Sequence, residues 1–167
     1  MKHIHAGLAI QPKDKVGVFH KPMPLLNYLE DFFQQDIREN MEFWRNDFLR
    51  RQATEAVKGL KVKLVDTGTS SNGKMKAIKD ISAEGACHLT FTNSDGNRTN
   101  VADYFSAAKC RKLTYPTLPC ILTRKFKRED PETRETYEEY EYFPFEMCFV
   151  VDKQPVKGMF FFMILII

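Results

Sequence analysis

The residue types that usually carry catalysis or bind metals are present in this 167-residue chain, but their spacing builds no such site. Three of the four histidines lie within the first 20 residues, and the four cysteines stand at wide, irregular intervals. No nucleophile beside a base and no glycine-rich phosphate loop is visible. We therefore expect no enzymatic activity, no cofactor and no metal ion.

A basic run offers a different chemistry, the binding of a polyanion. It comprises Arg124, Lys125, Lys127 and Arg128, and an acidic run of Glu135, Glu138, Glu139 and Glu141 follows a turn at residues 130–133. If the two runs are the arms of a hairpin, cross-strand pairing cancels much of their charge. The pattern therefore supports nucleic-acid binding and a purely structural pairing equally. The formal net charge of +3 permits a polyanionic partner without requiring one.

Helices are predicted at the start of the folded region. Pro22 and Pro24 close an extended lead-in, so that a helix begins no earlier than Leu25. Apolar residues at helical spacing predict one helix over residues 25–33 and a second, continuous helix over residues 43–57, which Gly59 ends. Two helices are thus expected to precede a sheet.

Alternating and β-branched residues predict strands in most of the remaining chain. The predicted strands cover residues 60–65, a return strand at 74–81, a strand at 87–92, and a long hairpin with arms at 120–126 and 137–151. Clusters of Gly, Ser and Asn predict turns at 67–73 and 93–97. The fold class expected from this order is α+β.

A short capped helix stands between these strands. Asn100 and Asp103 have the spacing of a capping box, and Val101, Tyr104 and Phe105 follow at helical positions. Tyr104 should therefore lie near the apolar face of this helix. In the tract that follows, we assign structural roles to Tyr115, Pro116, Leu118 and Pro119.

The cysteine pattern also bears on location. Wide spacing favours buried free thiols in a reducing compartment, which predicts a cytoplasmic or nuclear protein. The first residues contain no apolar run long enough for a signal peptide. The apolar tail, residues 159–167, is shorter than the roughly 20 residues that cross a bilayer, so no membrane contact is expected.

Five separated tracts resemble, in the same order, the PAZ domain of Argonaute proteins. They are residues 19–25 (FHKPMPL), 57–62 (VKGLKV), 88–91 (HLTF), the stretch from VADYF at 101–105 to YPTLPC at 115–120, and 142–148 (YFPFEMC). The resemblance implies a small curled β-barrel of OB or SH3-like type, with N-terminal helices and an inserted hairpin-helix appendage. It places the end of a linker at 1–24, the PAZ-like domain at 25–151 and an apolar tail outside the family at 152–167.

The function that the resemblance implies is binding the 3′ end of a single-stranded small RNA, as the guide-anchoring module of RNA silencing (RNA interference). Aromatic rings would pack on the terminal nucleotides, while hydroxyl and basic groups would hold the last phosphate. The implied RNA-binding residues are Phe91, Tyr104, Tyr142, Phe143, Lys74, Lys76 and Lys109. The remaining Argonaute domains, and any slicing activity they carry, are expected to be absent from this chain.

Departures from the family pattern leave two alternatives open. Asp66 stands where relatives commonly carry histidine, Lys76 where a tyrosine is usual, and Lys109 where histidine or tyrosine is frequent. An acid near the terminal phosphate repels it, whereas two added lysines offset that repulsion. One alternative is a PAZ-fold protein-interaction domain with a degenerate RNA pocket. The other is the PAZ region of a Dicer-type ribonuclease, which the Argonaute-like helices before Lys58 disfavour.

Overall fold

The computed structural model of the protein describes residues 6–10, 16–65, 75–109, 112–151 and 154, with residues 6–10, 16–20 and 109 described by backbone alone. Its helices are α1 Leu25–Phe33, α2 Met41–Arg45, α3 Asp47–Val57 and α4 Val101–Lys109. Its strands are β1 Ala6–Ile10, β2 Val16–His20, β3 Met23–Pro24, β4 Lys61–Leu64, β5 Lys76–Ala77, β6 Asp80–Gly85, β7 Thr90–Thr92, β8 Arg98–Asn100, β9 Pro119–Glu129, β10 Thr136–Pro144 and β11 Cys148–Val150. The predicted α+β class is confirmed.

The helical region differs from its prediction at one residue. Helix α1 begins at Leu25 as expected, but the long second helix is divided into α2 and α3 by Asn46. Asn46 is extended, with φ −77° and ψ 110°, and its side chain accepts hydrogen bonds from the backbone N–H groups of Phe48 and Leu49. An asparagine that caps a helix in this way competes with helix continuation. The end is as predicted, because α3 stops at Val57 and Gly59 adopts φ 82°.

The predicted return strand over residues 74–81 is two strands in different sheets. Strand β5 pairs with β4, whereas β6 pairs with β9. Between them, Ile78 donates its N–H to the carbonyl of Leu60 and Lys79 donates to that of Leu122. The chain thus passes from one sheet to the other within two residues.

The predicted strand over residues 87–92 is also shorter than expected. Cys87 and His88 lie in a turn, and β7 starts at Thr90. The carbonyl of Gly85 accepts the N–H groups of His88 and Leu89. A Cβ at Gly85 would lie 2.2 Å from the carbonyl oxygen of Thr117, so the chain turns where a side chain has no room.

The long hairpin is confirmed as β9 and β10, but its second arm ends at Pro144 rather than at residue 151. A 3-10 turn, Phe145–Met147, then leads into β11, which pairs with β3 and β4. At the hairpin's tip, the Asp130 carboxylate accepts the N–H groups of Glu132 and Thr133. These two bonds lower the pKa of Asp130.

The predicted β-barrel is not closed, because the described strands form four separate sheets. Their orders are β1-β2, β10-β9-β6, β3-β11-β4-β5 and β7-β8. The hairpin β7-β8 and helix α4 are inserted between β6 and β9, in agreement with the hairpin-helix appendage that the resemblance implies. The boundaries 1–24, 25–151 and 152–167 stay predictions, although β1 and β2 pair as an antiparallel hairpin within the first of these segments.

Two groups of buried side chains hold the elements together. The larger group joins the N-terminal helices to the sheets and includes Leu25, Leu29, Trp44, Val57, Val62, Ile121 and Phe145. The smaller group joins α4 to β9 and includes Val101, Phe105, Leu113, Cys120 and Met147. Phe143 packs against both. No described helix has the length and apolar character needed to cross a membrane.

Candidate nucleic-acid interface

Helix α4 is set by the capping box that its sequence predicts. The Asn100 side chain accepts the N–H of Asp103 at 2.7 Å and donates its own amide to the Asp103 carboxylate at 2.6 Å. Val101 and Phe105 are buried on the inner face. Tyr104, one residue from Phe105, is 36% exposed. Tyr104 therefore lies at the edge of the apolar face, with its ring packed and part of its surface exposed.

The aromatic cluster, which we define as Phe91, Tyr104, Phe105 and Phe143, connects the appendage to the long hairpin. The ring centroids of Phe91 and Tyr104 lie 5.1 Å apart, and those of Tyr104 and Phe105 lie 5.6 Å apart. Phe105 then contacts Phe143 at 6.3 Å. All three pairs meet edge to face, the geometry that aromatic side chains favour. Strands β7 and β10 each contribute one ring, and helix α4 contributes two.

The structure thus brings three predicted site residues, Phe91, Tyr104 and Phe143, into one connected set. Phe91 and Phe143 are partly buried rather than fully enclosed. The hydroxyl of Tyr104 makes no hydrogen bond to any other residue that the structure describes. A phenol placed in this way can donate to an incoming acceptor such as a phosphate oxygen.

Tyr142 lies beside this set. It is partly buried against the smaller core group, and its ring centroid is 6.4 Å from that of Tyr140. Burial raises the pKa of Tyr142, and the negative charge of Glu139 raises it further. The phenol therefore keeps its proton at neutral pH and remains a hydrogen-bond donor.

Lys76 is the predicted basic residue that the structure places next to the aromatic cluster. Its Nζ lies 5.7 Å from the centroid of the Phe143 ring, within the range of a cation–π contact. The same Nζ donates to the carboxylate of Glu141 at 2.9 Å. The cation is therefore paired within the protein.

The structure describes no side chain for the other two predicted basic residues. Lys74 falls outside the described residues, as do Asp66 and the predicted turn at 67–73. Lys109 is the last residue of α4, and its backbone alone is described. The apolar tail at 159–167 also lies outside the described residues. The RNA contacts of Lys74 and Lys109 stay predictions.

Cross-strand pairing in the long hairpin neutralises part of the basic run. Lys125 pairs with Glu138, and Arg128 pairs with Glu139 at 2.8 Å. Arg124 and Lys127 are exposed and form no ion pair with another described residue. The structural explanation of the basic run thus accounts for half of it, and two exposed cations, Arg124 and Lys127, remain on β9.

Glu139 also ties the hairpin to the appendage. It is 8% exposed, and its Oε1 accepts the N–H of Thr92 at 3.2 Å while its Oε2 pairs with Arg128. Thr92 follows Phe91 on β7. The carboxylate therefore fixes the strand that carries one ring of the aromatic cluster.

Sequence reasoning missed Phe105, Glu139 and Glu141 as parts of this region. Helical spacing marked Phe105 as a core residue, and it is buried, but its bridging position between Tyr104 and Phe143 depends on the packing of α4 on β10. The two acids belong to the run read as surface pairing. Their partners Thr92 and Lys76 lie 47 and 65 residues away, which local patterns do not reveal.

The metal-ligating side chains and the thiols were predicted to form no site, and the described part of the chain can be compared with that expectation. No group of three or more His, Cys, Asp or Glu side chains there could hold a metal ion. Cys120 and Cys148 are buried free thiols, as predicted, and burial raises the pKa of each. Cys87 is free and partly buried.

A separate hollow of ≈ 540 Å³ lies where α1 ends, near Tyr115. Its lining includes Glu30, Asp31, Asp36 and Glu39. It shares no residue with the aromatic cluster, and its excess of carboxylates disfavours a phosphate ligand.

The sequence matches the PAZ domain family over residues 26–161. The fold is similar to a Drosophila Ago PAZ domain solved with 3′-end 2′-O-methylated RNA, with 22% identity and a TM-score of 0.60 over 78% of this chain and 99% of that one. It is also similar to a Drosophila Argonaute 2 PAZ domain described for 3′-end recognition of nucleic acids, with 21% identity and a TM-score of 0.56 over 77% of this chain and 94% of that one. The predicted PAZ-like fold is thereby confirmed.

Proposed function

Because this chain belongs to the PAZ domain family, we propose that it binds the 3′ end of a single-stranded RNA at the aromatic cluster. The observation that carries the proposal is the connected set of Phe91, Tyr104 and Phe143, with Lys76 beside it. The solved relatives support the same ligand, since one is a PAZ domain in complex with 3′-end RNA and the other is described for 3′-end recognition of nucleic acids.

Each part of the ligand has a matching group. A base offers a π-face, which stacks on an accessible aromatic ring without demanding a sequence. The Tyr104 hydroxyl donates to a phosphate oxygen, and the phenol of Tyr142, whose pKa is raised by burial, is a second candidate donor. The exposed cations Arg124 and Lys127 on β9 can attract the RNA backbone. Lys74 and Lys109 are further candidates for phosphate contacts.

We place this module in an Argonaute-like protein of RNA silencing, where it anchors a small guide RNA in the cytoplasm or nucleus. The Dicer-type alternative differs in the domains that accompany the module. Sequencing the full transcript tests the assignment, because a Piwi region supports the Argonaute context and ribonuclease III domains support the Dicer context.

The RNA proposal is tested by a titration with one short RNA in linear and circularised form. Both forms have the same bases, but the circle has no 3′ end. We expect the linear RNA to bind more tightly, with an affinity that falls as salt rises. Equal affinity for the two forms would refute 3′-end recognition.

The second candidate function is a protein-interaction domain that kept the PAZ fold. The pairing of Lys76 with Glu141 favours it, because this cation is not free to meet a phosphate. This alternative predicts no measurable affinity for either RNA by the folded protein.

A further inference from the structure

The ion pair between Lys76 and Glu141 lies beside the aromatic cluster. Lys76 stands on β5 and Glu141 on β10, and their side chains are 24% and 29% exposed. Oε2 of Glu141 also accepts the hydroxyl of Thr123 at 3.2 Å. Thr123 is buried, with 5% of its surface exposed, so the carboxylate is held from the protein side.

Because of this ion pair, a phosphate that approaches the cation of Lys76 also approaches the carboxylate of Glu141. A phosphate that approaches Nζ at hydrogen-bond distance also approaches the carboxylate oxygen that lies 2.9 Å from the same Nζ. Two anions then share one cation, and their repulsion offsets part of the attraction. The phosphate binds fully only if Lys76 leaves Glu141.

We propose that Glu141 competes with the RNA phosphate for Lys76 and thereby lowers the affinity of the interface. This inference rests on the proposed function. It identifies Glu141 as an affinity-setting residue that need not contact the RNA.

The ion pair between Lys76 and Glu141 is expected to contribute little to the stability of the fold. Both side chains are partly solvated, and ion pairs of this kind contribute little to the free energy of unfolding. Replacing Glu141 by Gln keeps an oxygen that can accept from Thr123 and Lys76 while removing the negative charge. The variant is therefore expected to fold with a nearly unchanged thermal midpoint.

A matched control is available on the same strand. Glu138 pairs with Lys125 on the long hairpin, and E138Q changes the net charge by the same amount as E141Q. The side chains of Lys125 and Glu138 are 42% and 52% exposed, more than those of the Lys76 pair. The experiment measures the affinity of wild type, E141Q, E138Q, K76Q and the double variant K76Q/E141Q for a short single-stranded RNA at several salt concentrations.

We expect E141Q to bind about two- to fivefold more tightly than wild type, as expected for releasing a partly exposed ion pair. Its slope of log affinity against log salt should be steeper by about 0.7, because one more cation meets a phosphate. E138Q should gain less, K76Q should stay within about twofold of wild type, and the double variant should lose the gain of E141Q.

Three results would overturn the inference while leaving the proposed function intact. They are wild-type affinity in E141Q, an equal gain in E138Q, and a gain that persists in K76Q/E141Q. If neither wild type nor E141Q binds RNA, the proposed function fails as well. A loss of affinity in a folded E141Q would show that the carboxylate supports binding and would also overturn the inference.

Discussion

Tyr104 combines packing and chemistry in one side chain. Its ring meets Phe91 and Phe105, while 36% of its surface stays exposed at the edge of α4. Replacing Tyr104 by Phe keeps the ring contacts and removes the hydroxyl. We predict that RNA binding weakens by roughly 1.5–3 kcal/mol, the value of a hydrogen bond to a charged group, with little change in stability.

The measurement for Tyr104→Phe is an RNA titration together with a thermal melt. Tyr137→Phe is its control, since Tyr137 is a comparably exposed tyrosine on β10 that is not part of the aromatic cluster. If the two variants bind RNA with equal affinity, the Tyr104 hydroxyl does not contribute to RNA binding.

Phe91 should respond differently, because its ring is partly buried in the smaller core group. Phe91→Ala removes a stacking surface, which should cost about 1–3 kcal/mol of binding. It should also destabilise the fold by less than the roughly 3–5 kcal/mol typical of a fully buried phenylalanine. Chemical denaturation and RNA titration of the same variant separate the two effects. Unchanged binding by the folded variant would contradict the role of this ring.

Tyr28 provides a prediction about pH. Burial raises the pKa of Tyr28 to about 12 from 10.0. Between these values the folded protein holds a proton that the unfolded chain has lost, so the free energy of unfolding falls as pH rises. This contribution is complete below pH 10 and disappears as pH rises through 12, a loss of about 1–3 kcal/mol.

Tyr28→Phe should therefore flatten the decline of stability between pH 10 and 12. Its hydroxyl donates to the carbonyl of Ala56 at 3.3 Å, so the variant should be slightly less stable at neutral pH. Denaturant unfolding at several pH values checks both effects. A decline as steep as that of wild type would contradict the assignment.

Some residue roles could be predicted from local sequence and others could not. The cap formed by Asn100 and Asp103 spans four residues, so its pattern is sufficient to predict it, and the structure confirms that the Asn100 side chain accepts the N–H of Asp103. The reciprocal bond to the Asp103 carboxylate comes from the side-chain amide of Asn100 rather than from its backbone N–H. Glu141 is different because its partner Lys76 is 65 residues away. Its pairing depends on how two sheets meet, and that information is absent from any short stretch of the chain.

Asn46 determines where helix α2 ends and helix α3 begins. Apolar spacing continues from Phe43 to Val57, and this continuity predicted one helix across both α2 and α3. The asparagine interrupts it because one side-chain oxygen satisfies two N–H groups at the start of α3. Periodicity records which face is buried and does not report such a break.

We predict that Asn46→Ala destabilises the protein by about 0.5–2 kcal/mol, the usual cost of losing an N-cap. Gln52→Ala is the control, since Gln52 lies on the exposed face of α3. Denaturant unfolding of the two variants provides the comparison. If Asn46→Ala is as stable as the control, the break between α2 and α3 does not depend on the cap.

The strands also show which boundaries can be predicted from the sequence and which cannot. The alternation in β4 and the two arms of the long hairpin were visible in the sequence, since each depends on the pattern of a single strand. The switch from β5 to β6 was not, because Ile78 and Lys79 bond to two different partners, Leu60 and Leu122. Pairing between distant strands decides where such a strand ends.

For the whole molecule, the order of elements and the inserted appendage agree with the PAZ resemblance. The partition of the described strands into four sheets depends on pairing between strands that are distant in sequence, which no local pattern predicts. The residues of the candidate site likewise divide into those that the sequence predicted and those that only the packing revealed. Family motifs indicated Phe91, Tyr104 and Phe143, whereas Phe105 and the acids that hold or oppose the site emerged from packing.

Photo-crosslinking tests the central claim, that the 3′ end of RNA lies on the aromatic cluster, most directly. Two versions of one short RNA carry 4-thiouridine either at the 3′ terminus or at the 5′ terminus, and mass spectrometry locates the crosslinked peptides. We predict that the 3′-terminal label crosslinks to peptides containing Phe91, Tyr104 or Phe143 and that the 5′-terminal label does not. Crosslinks of both labels to the same peptides, or of the 3′ label only to peptides that lack these three residues, would contradict the account.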